Sequence, residues 1–252
     1  MRNLPTASEP DADAAYCAEA VRRLDPDRYI LALFQPARLR RAALALAAWN
    51  LELANARVRS GEVTIGMIRL KWHHDALEEI AAGRPRRHPV VLELAAAHNA
   101  GLIDATRLAG IVDARARDLE SAPPADMAEL EAYARGTAGA LHRALWPDAP
   151  AATDAGAAFA LVGLARAAPQ LEAAGRPPTP KGATPADLVT RGHALADQAL
   201  KAGPKPATAP AVLARAYARR AAKAGYDPTD PLMATPDPWR IWRLAAFRFS
   251  PF

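Results

Sequence analysis

Apolar residues recur along this chain every three or four positions, in stretches divided by proline and glycine. That spacing lines up one face of an α-helix, whereas strict alternation, the mark of a strand, is scarce. From Pro36 to Val58, Leu39, Ala43, Leu46 and Leu53 form such a stripe. Pro36 suits a first helical position, where its missing N–H leaves nothing unpaired. The same pattern predicts helices over residues 11–24, 64–83, 88–101, 104–120, 126–146, 153–168, 185–203 and 209–225, with a short piece over 27–34. Loops are expected at 83–89 and at the Pro-rich 175–185, the longest of them. No fixed-period repeat stands out.

Composition reinforces this reading. Hydrophobic residues make up 51% of the 252, and alanine, the best helix former, is abundant. The fold class is therefore all-α, in a single domain with a sizeable core. Residues 1–10 are expected to be a flexible N-terminus, 11–227 the helical domain, and 228–252 an aromatic and basic tail. That tail sets arginines among Trp239, Trp242, Phe247, Phe249 and Phe252, which suits either a membrane interface or a terminal helix docked on its own domain.

Charge narrows the function little. A net charge of +5 is compatible with an acidic partner, an anionic membrane or nucleic acid. The basic cluster at residues 84–87 has no interleaved aromatic platform, so no nucleic-acid role is expected. Cys17 is the single cysteine, which excludes an internal disulfide and fits a reducing compartment. No apolar run approaches the ~18–20 residues that span a bilayer. The acidic first residues resemble neither a secretory signal nor a transit peptide, so the expected location is the cytoplasm or the inner face of a membrane.

Candidate chemistry is sparse. His73, His74 and Asp75, with Glu78 near, have ligand-type side chains, but adjacent helical residues point about 100° apart. Surface or core histidines are the expectation, and no metal is assigned. Residues 136–141, Gly-Thr-Ala-Gly-Ala-Leu, follow no strand and end in no Gly-Lys-Ser/Thr, so they form no phosphate loop. Small side chains there suit close helix packing or a narrow cavity wall.

Several stretches taken in order resemble the squalene/phytoene synthase family: residues 27–53, 69–77, 88–94, 131–141 and 217–231. The resemblance implies an isoprenoid-synthase-like helical fold around a central apolar cavity. In active members two aspartate-rich helices hold Mg²⁺ against prenyl diphosphates that are joined head to head. Magnesium demands hard carboxylate oxygens, and aspartates at i and i+4 share a helix face. Aligned on the first acidic motif, residues 49–58 put Ala54 and Val58 at the aspartate positions, with Asn55 in place of a neighbouring acid, Leu51 in place of an arginine and Ala47 in place of a tyrosine. The second motif aligns with residues 156–171, where Ala167 and Leu171 replace the acids, Gly163 replaces an asparagine and Arg166 is kept. Glu52, Asp75 and Asp118 fall outside the metal motifs and suit structural ion pairs.

This pattern of loss is similar to one branch of the family, which holds complex I assembly factors with a squalene/phytoene-synthase-like domain and their bacterial relatives. The resemblance implies a non-catalytic protein that needs no cofactor. Its partners would be respiratory complex I subunits or other assembly factors, and it could take a lipid or prenyl ligand and touch a membrane peripherally. The alternatives are an active prenyltransferase with an altered site, which would need Mg²⁺, and a lipid-binding module without an assembly role. Cavity candidates carried over from the resemblance are Tyr29, Arg38, Asn55, Arg69, Tyr133 and Arg166.

Overall fold

A computed structural model describes residues 9–56 and 63–250. Every regular element among them is helical. The chain runs through α1 (Glu9–Leu24), α2 (Pro26–Phe34), α3 (Ala37–Ala54), α4 (Val63–Ala81), α5 (Pro89–Asn99) and α6 (Ala109–Arg115). It continues through α7 (Met127–Ala134), α8 (Ala140–Leu145), α9 (Ala151–Arg166), α10 (Ala168–Ala173), α11 (Pro185–Ala202) and α12 (Lys205–Lys223), and ends in α13 (Pro231–Ala234) and α14 (Arg240–Phe249).

The buried apolar residues form two main bodies. Helices α1, α3, α5 and α6 bury Val21, Leu46, Trp49, Leu53, Leu94 and Ile111. Helices α9, α11 and α12, joined by parts of α2 and α14, bury Leu161, Leu188, Leu195, Leu213 and Tyr217. Each large side chain taken from water this way contributes about 1.5–3 kcal/mol. Small residues set how closely the helices approach. A Cβ on Gly156 of α9 would lie 2.4 Å from the carbonyl oxygen of Ala138, and one on Gly192 of α11 would lie 2.7 Å from Val162 Cγ2.

Three expected helices have different shapes in the structure. The helix expected over 126–146 contains a π-helical turn, Arg135–Gly139, between α7 and α8. The segment 104–120 is broken into 3₁₀ turns, Ala105–Leu108 and Ala116–Leu119, on either side of α6. Helix α12 begins at Lys205, four residues before the expected start, and runs through Pro210. A proline inside a helix leaves the carbonyl four residues earlier without its amide partner. Gln35 fills that role: its Nε2 donates to Pro206 O at 3.2 Å, while Trp146 Nε1 donates to Gln35 Oε1 at 3.0 Å. Helix α3 ends at Ala54, not at Val58, which lies outside the described residues, as do residues 1–8 and Phe252.

Candidate functional site

Between the two apolar bodies lies a cavity of about 670 Å³. Helix α3 supplies one wall through Asn50, Leu51, Ala54 and Asn55. Helix α9 and the start of α10 supply another through Phe159, Gly163, Leu164, Ala167 and Leu171. The α3 wall ends neatly because Asn55 caps its own helix: Nδ2 donates to Leu51 O at 2.8 Å. The π-helical turn contributes Thr137 and Ala138, and so re-aims one turn of backbone toward the cavity.

The polar residues of the cavity are tied to one another. Arg115 is buried at the centre of the largest network. Its Nη1 donates to Asp118 Oδ2 and to Tyr133 OH, both at 2.9 Å, and its Nη2 donates to Asn50 Oδ1 at 2.7 Å. Tyr133 OH donates to Asp118 Oδ1 at 2.7 Å, and Arg176 approaches the same oxygen at 2.7 Å. Burial, only partly offset by Arg115, pushes the Tyr133 phenol well above its usual range, so it stays a donor. A second network surrounds Asp27. Tyr217 OH donates to Asp27 Oδ2 at 2.6 Å, and Arg166 and Arg240 stand 3.9 and 3.2 Å from its oxygens. Burial raises the Asp27 carboxyl above the usual range, against the pull of Tyr217 and Arg166. The Arg166 guanidinium also lies over the Tyr217 ring, 3.8 Å from its centroid. Elsewhere in the lining, Arg117 pairs with Glu129 at 2.8 Å and with Glu120 at 3.0 Å, and Arg28 pairs with Asp25.

Of the candidates drawn from sequence, Asn55, Tyr133 and Arg166 line this cavity, as do Ala54, Ala167 and Leu171. Tyr29, Arg38 and Arg69 do not. Tyr29 packs against the α1/α3/α5 body, Arg38 is exposed on the first turn of α3, and Arg69 turns to the end of α3, where Nη1 donates to Ala56 O at 3.1 Å. Glu52 faces His88 and His73 at 3.6 and 4.0 Å, away from the cavity. His73 is buried edge-on to Trp72 and Trp49. His74, Asp75 and Glu78 bring potential ligand atoms within 4.8 Å of one another on the outer side of α4, where Lys71 pairs with Asp75 at 2.9 Å.

The sequence matches the family model "Squalene/phytoene synthase" over residues 21–182. The chain belongs to the squalene/phytoene synthase family. The architecture agrees: a solved dehydrosqualene synthase in complex with ligand superposes with a TM-score of 0.81 over 95% of this chain and 96% of that one, at 16% identity. A squalene synthase from Alicyclobacillus acidocaldarius superposes with a TM-score of 0.72 over 88% of this chain and 98% of that one, at 18% identity. Among curated relatives, NADH dehydrogenase (ubiquinone) complex I, assembly factor 6 of Mus musculus is 34% identical over 142 residues, which is 56% of this chain and 43% of the relative. The Homo sapiens protein of the same name is also 34% identical over 142 residues, with the same coverage. The match therefore takes in less than half of each of these relatives.

The family resemblance implies magnesium, and the residues present do not fit it. Ala54, Ala167 and Leu171 offer no side-chain oxygen on the opposed walls. The acids that do line the cavity are already held by arginines: Asp25 by Arg28, Asp27 by Arg166 and Arg240, Asp118 by Arg115 and Arg176, and Glu120 and Glu129 by Arg117. A divalent cation there would meet guanidinium charge where it needs carboxylate.

Sequence reasoning missed Asn50, Asp27, Arg115, Arg176 and Tyr217. The i,i+3 pairing of Arg115 with Asp118 was a readable signal. Arg176 had none: it comes from the Pro-rich loop, just after Gly175, whose φ of 67° ends α10.

Proposed function

We propose that this chain is a non-catalytic squalene/phytoene synthase family member that serves as an accessory or assembly factor for respiratory complex I. In this reading the cavity holds a lipid or prenyl chain, and the protein works in peripheral contact with a membrane. One observation carries the non-catalytic part: the opposed walls present Leu51, Ala54 and Asn55 against Gly163, Ala167 and Leu171, with every lining acid committed to an arginine. Without carboxylates to gather divalent cations, the negative charge that builds on a departing diphosphate has no metal to stabilise it. The relatives named complex I, assembly factor 6 support the assembly part. The lipid part is supported by the volume of the cavity and by the apolar faces of Leu51, Phe159, Leu164 and Leu171.

Deletion of the gene tests the assembly role, with loss of complex I level and NADH:ubiquinone activity as the expected result. Unchanged complex I would remove it. A second reading, an active prenyltransferase with an altered site, is favoured by the five arginines that line the cavity, Arg28, Arg115, Arg117, Arg166 and Arg176. Purified protein incubated with Mg²⁺ and farnesyl or geranylgeranyl diphosphate separates the two. No release of pyrophosphate is expected, and steady turnover would favour the enzyme.

A further inference from the structure

Helix α14 is docked on the body by one face only. Leu244 is buried and Phe247 half-buried against the α9/α11/α12 body. Arg240 reaches inward to Asp27 at 3.2 Å and to Asp237 O at 3.0 Å, and Arg243 Nε donates to buried Asp237 at 2.6 Å. Among the described residues the opposite face has no such cover. Trp239, Trp242 and Phe249 are 62%, 69% and 82% exposed, and Ile241 beside them is 58% exposed.

The exposed residues are not scattered. Positions 239, 242, 246 and 249 follow each other at intervals of three and four, so Trp, Trp, Ala and Phe share one stripe. Aromatic side chains of this kind carry roughly 150–250 Å² each. Three of them largely exposed together reach the few hundred Å² of a largest surface patch, the size that is often functional. No acid stands beside the stripe. Residues 238–250 hold Arg240, Arg243 and Arg248 and no acid. The nearest acid, Asp237, is buried, and Arg220 and Arg243 neutralise it. Arg248 lies at the rim, donating to Phe34 O at 3.3 Å with its guanidinium over the Phe34 ring.

We propose that the Trp239–Trp242–Phe249 face of α14 is a docking site for an anionic lipid bilayer. Tryptophan seats its apolar ring and its N–H at the level of the headgroups, phenylalanine enters the acyl boundary, and the exposed Arg248 guanidinium at the rim meets lipid phosphate, while Arg240 and Arg243 stay paired on the docked face. The face binds as a surface: α14 is far too short to span, and among the described residues no helix is long and apolar enough to cross a membrane. The proposal rests on the peripheral-membrane part of the function proposed above and names the surface and the lipid charge responsible.

The full-length protein, floated with vesicles, provides the test. Vesicles of phosphatidylcholine mixed with phosphatidylglycerol should carry the protein upward, while vesicles of phosphatidylcholine alone should carry far less. Raising salt toward 1 M, where the Debye length falls to about 3 Å, should weaken the anionic binding. A Trp239→Ala/Trp242→Ala/Phe249→Ala variant should keep the wild-type thermal midpoint, because these side chains are exposed, and should lose roughly tenfold or more in vesicle affinity. Three outcomes would overturn the docking site: a variant that floats like the wild type, a wild type that floats with neither vesicle, or a wild-type dimer in solution that the variant dissociates. Failure here, with complex I still lost in the deletion strain, removes the surface and leaves the assembly role. Vesicle binding with complex I intact does the reverse.

Discussion

Asp118 has one side chain and three demands on it. Arg115, Arg176 and Tyr133 all converge on its two oxygens inside the cavity wall. A buried pair adds little net stability, but removing one partner leaves the other charge unpaired in a poorly solvated place. Asp118→Ala should therefore cost about 3–5 kcal/mol in urea denaturation, and Asp118→Asn less, since an amide oxygen still accepts from Tyr133. A cost within the noise for Asp118→Ala would mean that water already screens the cluster. His73 makes the residue scale visible in pH. Burial, helped by the nearby charges of His88 and Arg86, holds its imidazole down to about 4, from an ordinary 6.5. The unfolded ring takes up a proton near pH 6.5 and the folded ring only near 4, so stability falls as pH falls through that window. The loss should reach about 2–3 kcal/mol by pH 4.5. His73→Phe, which keeps the edge-on packing with Trp72, should flatten that part of the stability profile. A profile as steep as that of wild type would assign the slope to other groups.

Helices α9 and α12 show how an element depends on its neighbours. Proline at position 210 reads as a breaker, yet α12 passes through it because a side chain from the end of α2 satisfies the freed carbonyl. Gln35→Leu removes the bonds to Pro206 O and from Trp146 Nε1 together. The expected loss is about 1–3 kcal/mol, with faster hydrogen exchange confined to the first turns of α12. Uniform exchange across the helix would show that Gln35 has no special hold on that end. In α9 alanine and glycine dominate the buried face, and this lets the π-helical turn approach so closely that a Cβ on Gly156 would lie 2.4 Å from Ala138 O. The sequence pattern showed a helix of small residues. It did not show that the facing helix would change pitch over Arg135–Gly139.

At the scale of the whole molecule, two apolar bodies flank a cavity that neither body fills. Whether that space is used can be read from a variant that fills it. Ala160 lines the cavity from α9. Ala160→Trp should exclude an acyl or prenyl chain, lower the lipid seen with the purified protein by native mass spectrometry, and fail to restore complex I in a deletion strain, while far-ultraviolet circular dichroism stays unchanged. Full restoration with undiminished lipid would show that the cavity plays no part. The same scale explains the cavity candidates that fell away. Tyr29, Arg38 and Arg69 lie near cavity-lining segments in the sequence, but helix rotation and the end of α3 turn them elsewhere.

Helix content and the single cysteine were legible in the amino-acid order, because periodicity and residue type are local properties, and the family resemblance implied alanine, valine and leucine at the acidic-motif positions. The resemblance carried Asn55, Tyr133 and Arg166 to the cavity. Only the tertiary structure decided that Arg176 swings in from a Pro-rich loop, that Asp27 and Tyr217 meet across 190 positions of chain, and that α14 docks by one face and leaves tryptophans on the other. Those outcomes depend on which surfaces meet, and long-range packing and charge pairing choose among arrangements that the local pattern leaves equivalent.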